Sequence, residues 1–243
     1  MWKEDFPELY EYARQRLNVD ECTTAAECVE RLPKIHLGII PDGNRRWMKK
    51  NDKTIESYAK MIETYLFSIL EKSTENVPFT LFYLVGEVSF YVLSKDNLAK
   101  RDDGTLKFIE MAMDIVCSLM RVESVSNRVK IDVVGDVASL PIVIRHQILF
   151  CERMSKGAFP IHLAIGYDPI EDSASYLKDG TASRTQMDMV FRSGGELRSS
   201  GFFPLQTLYS EWVYSDTLWP DMTATLLNDA LNQFLKRKRN FGK

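Results

Sequence analysis

Two short segments of the chain concentrate residue types that bind phosphate groups. The first, PDGNRRW at residues 41–47, directly follows the short apolar run 35–40. Arginine side chains and the backbone amides at a helix start bind phosphate oxygens, but the carboxylate of Asp42 would repel them. An acid fits beside a phosphate when a divalent cation bridges the two, and Mg²⁺ binds through one or two carboxylates plus substrate phosphates. The segment therefore predicts a metal-assisted phosphate site, and a turn beside a solvated basic helix is the alternative.

The second segment, RSGGELRSSG at residues 192–201, holds two arginines, three serines and three glycines. Paired glycines let backbone amides approach an anion closely, and arginines six residues apart across a turn can converge on one group. This pattern predicts a second site for an oxyanion or a diphosphate. The alternative interpretation is a flexible surface loop.

A third candidate is the acid Glu211, which lies between Ser210 and Trp212 in an apolar, strand-like run. A carboxylate in such a run is costly unless it is paired or bound to a metal. Glu211 is therefore a candidate metal ligand, and an edge-strand acid that faces water is the alternative.

Strands and helices alternate along the rest of the chain, and they must position these segments. Short apolar runs predict strands at 35–40, 79–85, 129–136, 159–167, 187–191 and 210–215, and amphipathic runs predict helices at 54–72, 106–121, 139–155 and 223–237. This alternation is typical of an α/β domain with a mostly parallel sheet that helices cover on both faces. Ligands of such sheets bind beyond the carboxyl ends of the strands, where both segments fall. The stretch 168–186 is predicted to be an irregular surface connection.

Composition excludes some classes of partner. The 243 residues carry a net charge of −3, which disfavours nucleic-acid binding through bulk charge, since such domains are strongly basic. No run approaches the roughly 18 apolar residues of a membrane span, so no stable membrane insertion is expected. The four cysteines show no zinc-like spacing, which favours free thiols and a cytoplasmic location.

Three long motifs resemble one family, the cis-prenyltransferases or undecaprenyl diphosphate synthases. They are HLGIIPDGNRRW at 36–47, DMVFRSGGELRSSGFF at 188–203 and YSEWVYSDTLWPDM at 209–222. The resemblance implies a single α/β domain over 34–243 with a six-stranded sheet, usually assembled as a homodimer. Residues 1–33 are then an N-terminal helical extension.

The resemblance also implies two adjacent sites for prenyl diphosphates, the small-molecule partners. In the first, Mg²⁺ held by the acid of the DGN turn meets an allylic diphosphate; the candidate residues are Asp42, Asn44 and Arg46 as catalytic groups, with Gly43, Arg45 and Arg46 on the diphosphate. In the second, a further prenyl diphosphate is held by Arg192, Arg198 and Ser200, and Glu211 helps Asp42 to bind the metal. The implied mechanism is electrostatic stabilisation of the departing diphosphate.

Several positions depart from the family pattern. Members usually carry an arginine and a histidine on the helix after the first motif, where Ile55 and Ala59 stand here. Members also carry SxENWxRP after the second strand, and the stretch 86–94 lacks its Asn, Trp and Arg. The turn PDGNRRW and the tripeptide Ser57-Tyr58-Ala59 are similar to the lavandulyl and cyclolavandulyl diphosphate synthases, a branch that joins two short allylic units irregularly.

Four functions follow from these observations. The first is irregular coupling of two prenyl diphosphates, with or without ring closure. The others are cyclisation of a single prenyl diphosphate by a terpene synthase, regular cis elongation with isopentenyl diphosphate, and a non-catalytic partner subunit. The presence of Asp42 argues against the partner subunit. The complete second diphosphate set (Arg192, Arg198 and Ser200) favours coupling over cyclisation.

Overall fold

Six parallel strands form one sheet, in which the third strand along the chain is followed across the sheet by the fourth, second, first, fifth and sixth. The structure is a computed structural model, which describes residues 4, 7–17, 25–71, 84–99, 103–179 and 185–238. The strands are β1 (Ile35–Ile40), β2 (Val85–Ser94), β3 (Val129–Val134), β4 (Phe159–Tyr167), β5 (Met189–Arg192) and β6 (Glu211–Tyr214). The predicted fold class, an α/β domain with a parallel six-stranded sheet, is confirmed.

Helices flank the sheet and follow most strands. They are α1 (Pro7–Arg14), α2 (Ala25–Arg31), α3 (Asn44–Lys50), α4 (Ile55–Glu71), α5 (Lys95–Ala99), α6 (Asp103–Met120), α7 (Glu123–Ser126), α8 (Ile142–Met154), α9 (Pro169–Asp179) and α10 (Ala224–Lys236), with 3₁₀ turns at Val137–Ser139 and Trp219–Asp221. The four long helices predicted from amphipathic runs are all present. Within the described residues, no helix is long and apolar enough to cross a membrane.

Both faces of the sheet are buried, as parallel sheets require. On one face, Leu37 and Ile39 of β1 pack in a cluster with Leu9 of α1 and Phe234 of α10. A second cluster on β3 and β4 packs against α6 and α8. The opposite face is covered at its carboxyl end by the segment after β5, through the fully buried Phe202 and its neighbour Phe203. The N-terminal helix α1 thus belongs to the core, and the domain boundary at residue 33 stays a prediction.

The second strand differs from its prediction. The sequence predicts a strand at 79–85, of which 79–83 lie outside the described residues, whereas β2 runs from Val85 to Ser94. The apolar pattern misses this strand because two of its inward positions are polar. Glu87 accepts a hydrogen bond from His162 over 2.8 Å, and Ser89 lies 2.8 Å from Nε2 of His36. Neighbouring strands supply these partners, so the polarity is satisfied only in the folded sheet.

The prediction of an irregular connection over 168–186 is wrong for residues 169–179, which form α9. The helix begins at Pro169, whose fixed φ suits a first helical position. Oδ1 of Asp168 accepts the backbone N–H groups of Ile170 (2.8 Å) and Glu171 (3.2 Å), which is a helix N-cap. Residues 180–184 lie outside the described part of the chain.

The cysteines only partly match the expectation of free thiols. Cys117 and Cys151 are free and buried, with their sulfur atoms 3.4 Å apart. Cys28 is disulfide-bonded, so the expectation is wrong for this residue. Sequence spacing could not supply this result, because pairing depends on how the folded chain brings cysteines together.

Candidate active site

The two segments predicted to bind phosphate meet at the carboxyl edge of the sheet. Ile40 at the end of β1 pairs with Arg192 at the end of β5. Ser193, which is fully buried, then joins the two turns with one hydroxyl: it accepts the N–H of Asp42 (3.0 Å) and donates to the carbonyl of Asp42 (2.9 Å). The two motifs are therefore held as one unit. Sequence reasoning missed Ser193, although its place beside Arg192 at a strand end was a usable signal.

Two glycines permit this close approach. Gly43 has φ 101°, and a Cβ there would lie 2.7 Å from Cδ2 of Leu218. Gly194 has φ 86°, and a Cβ there would lie 2.8 Å from Nη2 of Arg46 and 3.0 Å from the carbonyl group of Asp42. Both backbone conformations disfavour any residue with a Cβ. The glycines of the two motifs thus set the distance between the motifs.

The carboxylate of Asp42 is the centre of the site. Its Oδ2 accepts a hydrogen bond from Arg192 (2.8 Å), and its Oδ1 accepts from Gly43 N–H (2.6 Å) and Arg46 (3.3 Å). Burial by itself raises the pKa of Asp42, but the hydrogen bonds and charges of Arg192, Gly43 and Arg46 outweigh it, so the pKa is lowered. The side chain keeps 30% of its surface exposed. Asp42 is therefore an ionised, accessible carboxylate at neutral pH.

Arg192 links Asp42 to the second motif. Its side chain is 5% exposed, and Nη1 donates to Oγ of Ser200 (2.8 Å) and to the backbone carbonyl of Arg198. Its buried Nε has no hydrogen-bond partner within the part of the chain that the structure describes. The structure thus brings Arg192 and Ser200, predicted for the second site, into contact with Asp42, predicted for the first.

Two predicted arginines stay at the rim of the site. The side chain of Arg198 is 63% exposed and pairs with Glu196 over 2.6 Å. Arg45 is also exposed, and it lines the pocket on the Asp42 side. Both side chains are therefore solvent-exposed.

Glu211 is not brought to Asp42 within this chain. It is the first residue of β6, and its carboxylate pairs with Arg237 over 2.9 Å. The end of β6 that lies beside Arg192 is Tyr214. At about 3.3 Å per residue, Glu211 lies roughly 10 Å from that end, at the amino end of the strand. β6 is the last strand of the sheet, so the alternative interpretation of Glu211 as an edge-strand acid fits its position.

Asp42 lines two neighbouring polar pockets. One, of about 420 Å³, lies between the first motif and α6, and the other, of about 550 Å³, lies between β2, β4 and the second motif. The second is lined by Arg192 and Ser200 together with Tyr91, whose hydroxyl donates to the carbonyl of Ser200 over 3.1 Å.

An apolar cavity of about 480 Å³ continues from the first pocket. The two share Pro41, Asn44, Ile55, Val92 and Phe108. The cavity then runs between α4, α6 and the sheet toward the amino ends of β3 and β4. A charged mouth that opens onto an apolar cavity suits a ligand with an anionic head and a hydrocarbon tail.

Comparison with known proteins identifies the family. Residues 40–242 match the family described as putative undecaprenyl diphosphate synthase. The chain belongs to the cis-prenyltransferase family. It is 32% identical over 224 residues to the tritrans,polycis-undecaprenyl-diphosphate synthase (geranylgeranyl-diphosphate specific) of Aeropyrum pernix, covering 85% of this chain and 97% of that one. It is 29% identical to an isoprenyl transferase of Chlorobaculum tepidum, covering 91% and 89%.

Two solved structures share the fold of this cis-prenyltransferase. Lavandulyl diphosphate synthase from Lavandula x intermedia, in complex with dimethylallyl diphosphate, matches with a TM-score of 0.64 at 21% identity, over 86% of this chain and 98% of that one. A probable undecaprenyl diphosphate synthase from Campylobacter jejuni matches with the same TM-score and identity, over 87% and 100%. At this identity the likeness shows the fold alone. The transferase class of the chain comes from the family match.

The position of β2 changes which residues of this cis-prenyltransferase correspond to the family motif SxENWxRP. The sequence predicts that the stretch 86–94 follows the second strand, but the stretch forms that strand. The strand ends at Ser94, and the residues from there onward, Ser94-Lys95-Asp96-Asn97, keep the SxEN spacing with Asp in place of Glu. Asn97 lines both polar pockets beside Asp42. The expectation that the Asn is absent is therefore wrong, whereas Leu98 and Lys100 stand in place of the motif's Trp and Arg.

The donor set at the site suits Mg²⁺ held jointly with a substrate. Among the described residues, no group of three or more His, Cys, Asp or Glu side chains is placed to hold a metal ion. The ionised carboxylate of Asp42 faces both pockets between arginines that attract phosphate, and Asp96 and Asp168 also line the second pocket. Mg²⁺ is commonly bound in this way, with substrate phosphates and water as its remaining ligands. Asp42 fits this role, whereas Glu211 does not reach the same pocket within the chain.

Proposed function

We propose that this cis-prenyltransferase is a Mg²⁺-dependent enzyme that ionises an allylic prenyl diphosphate and couples it to a second, short prenyl diphosphate. We propose further that the coupling is irregular and can also close a ring. The observation that carries the proposal is the carboxylate of Asp42, which forms a wall of two polar pockets. One pocket opens onto an apolar cavity that suits a hydrocarbon tail, and the other contains Arg192 and Ser200 for a second diphosphate.

Each side chain has a role in this reaction. Arg45 and Arg46 bind the first diphosphate, and Arg192 and Ser200 bind the second. Mg²⁺ held by Asp42 would neutralise the charge that develops on the leaving diphosphate. The allylic C–O bond breaks with its electron pair on the diphosphate, a C–C bond forms to the second substrate, and one proton passes from the coupled cation to the released diphosphate. The apolar cavity excludes water, which would otherwise capture the allylic cation.

The irregular form of coupling is supported by the helix after the first motif. Ile55 and Ala59 stand where family members usually carry an arginine and a histidine, and both line the apolar cavity. Hydrocarbon surface therefore replaces two diphosphate-binding groups on this side. The first diphosphate depends on the arginines of α3 instead, so its position relative to the second substrate differs from that in regular elongation.

A second candidate function is regular cis elongation with isopentenyl diphosphate. It is favoured by Asn97, which restores part of the family segment after β2 and lies at both pockets. It is also the activity that the Aeropyrum pernix relative's name describes.

Product analysis distinguishes these functions. The purified chain is incubated with dimethylallyl, geranyl or farnesyl diphosphate, each with and without isopentenyl diphosphate, in Mg²⁺ or in EDTA, and products are identified by mass spectrometry. A diphosphate product of summed carbon number from allylic substrates alone supports irregular coupling. Growth by five-carbon units only with isopentenyl diphosphate indicates regular elongation, and a hydrocarbon or alcohol from one substrate indicates a cyclase. Product formation in EDTA would contradict the metal role.

We also propose that the chain acts as a cytoplasmic homodimer, with residues 34–243 as the catalytic domain and 1–33 as an extension of it. The family resemblance supports the dimer. Light scattering of the purified chain tests it, and a mass of one chain at micromolar concentration would contradict it.

A further inference from the structure

Tyr58 lies at the junction between the first polar pocket and the apolar cavity. It belongs to α4, is 6% exposed, and donates a hydrogen bond from its hydroxyl to Oδ1 of Asn44 over 2.8 Å. Asn44 lines both the polar pocket and the apolar cavity. The tyrosine therefore contacts the site through a residue that faces the substrate.

The side-chain amide of Asn44 has one orientation in this setting. Its Nδ2 donates to the carbonyl of Pro41 over 2.8 Å. The reversed amide would place Oδ1 against that carbonyl, and two acceptors at this distance repel each other. Because Pro41 fixes the nitrogen side, the hydroxyl of Tyr58 must be the donor to the oxygen side. Nδ2 carries a second N–H, which is left for a ligand oxygen in the pocket.

The ring of Tyr58 is held on two sides. It stacks on Phe108 with 5.8 Å between ring centroids and 13° between planes, and it contacts Trp47 at 5.8 Å. Trp47 is fixed in turn, because its indole N–H donates to Asp221 over 2.6 Å. Burial raises the pKa of the Tyr58 hydroxyl, so it stays a proton donor at neutral and alkaline pH. Its hydroxyl thus has a defined position and a defined protonation state.

We infer that Tyr58 is a positioning residue for prenyl transfer, which holds Asn44 so that one amide N–H points at an oxygen of the first diphosphate. The inference rests on the proposed function. A fixed donor aimed at an oxygen that gains negative charge stabilises the transition state more than the ground state. The effect of Tyr58 should therefore appear in kcat, with little change in KM.

The test is a double-mutant cycle of Tyr58→Phe and Asn44→Ala, assayed with whichever substrates give product. Tyr58→Phe keeps the ring stack and removes only the hydroxyl. It should lower kcat about tenfold, the effect of one hydrogen bond, with KM for the allylic substrate within about twofold. Asn44→Ala should lower kcat by about 100-fold, as for loss of one donor to a developing oxyanion. The double variant should match Asn44→Ala. Tyr176→Phe on α9 is the matched control, with unchanged kcat.

A second measurement uses Mg²⁺ and inorganic pyrophosphate, which carries the charge of the leaving group. Calorimetry should show weaker pyrophosphate binding in Tyr58→Phe, and no further weakening when the change is made in Asn44→Ala. Absence of product from the wild-type chain, with this coupling intact, would refute the proposed function alone. Full kcat in Tyr58→Phe, or equal effects of the change with and without Asn44, would overturn the positioning role.

Discussion

Alkaline pH is expected to destabilise this protein through His162, which lies in β4 away from the active-site edge of the sheet. The imidazole is 12% exposed, with Nε2 at 2.8 Å from Glu87 and Nδ1 at 3.1 Å from Asp132. The other groups around it are His36, with ring centroids 6.1 Å apart, and Thr185, whose hydroxyl donates to Glu87 over 2.6 Å. Two carboxylates thus contact one histidine.

The magnitude follows from the pKa of His162. Burial by itself lowers it, but the hydrogen bonds and charges of Asp132 and Glu87 raise it from 6.5 to about 9. The folded protein therefore holds this proton more tightly than the unfolded chain. The stabilisation is complete below pH 6.5 and is lost as the pH rises through about 9. At about 1.4 kcal/mol per unit of pKa, it amounts to about 3 kcal/mol.

Urea unfolding between pH 6 and 10 measures this effect in the wild type and in His162→Gln. The free energy of unfolding of the wild type should fall by about 3 kcal/mol more than that of the variant over this range. His146→Gln, on the exposed side of α8, is the matched control and should keep the wild-type slope. Equal slopes for wild type and His162→Gln would refute the reasoning.

Three substitutions at the active site are expected to separate chemistry from folding. Asp42→Asn should lower turnover by at least about 1000-fold, because the metal loses its carboxylate, while circular dichroism shows an intact fold; a fully active variant would contradict the site. Ser193→Ala removes both hydrogen bonds to the Asp42 backbone and should cost about 1–3 kcal/mol in urea unfolding, and an unchanged midpoint would contradict its joining role. Gly194→Ala, at φ 86° and close to Arg46, should cost roughly 1–2 kcal/mol and lower kcat/KM; wild-type values for both would contradict the close approach.

The sequence was sufficient to predict β1, at the centre of the sheet, and the turn that follows this strand. β1 is buried at all six positions, so its continuous apolar run is a strong signal, and the PDG turn marks its end. Arg192 and Ser200 were also predictable, because arginines and hydroxyls in a glycine-rich turn after a strand point to an anion. Ser193 was not predicted, because its role depends on a hydrogen bond to the backbone of Asp42, 151 positions earlier in the chain.

The positions of residues along their strands explain why the sequence missed Asn97 and why Glu211 does not meet Asp42 within this chain. The polar residues Glu87 and Ser89 interrupt the apolar pattern of β2, so the sequence predicts an end of the strand nine residues before Ser94 and gives no role to Asn97. Glu211 is a candidate metal ligand because a carboxylate in an apolar run is costly unless it is paired, but it occupies the first position of its strand and pairs with Arg237. In a parallel sheet all strands begin on one side and end on the opposite side. Residues at the start of a strand therefore lie far from residues in the turns that follow the strands. The residue type and the motif therefore identify a candidate site residue, but its position along the strand decides whether it reaches Asp42 within the chain.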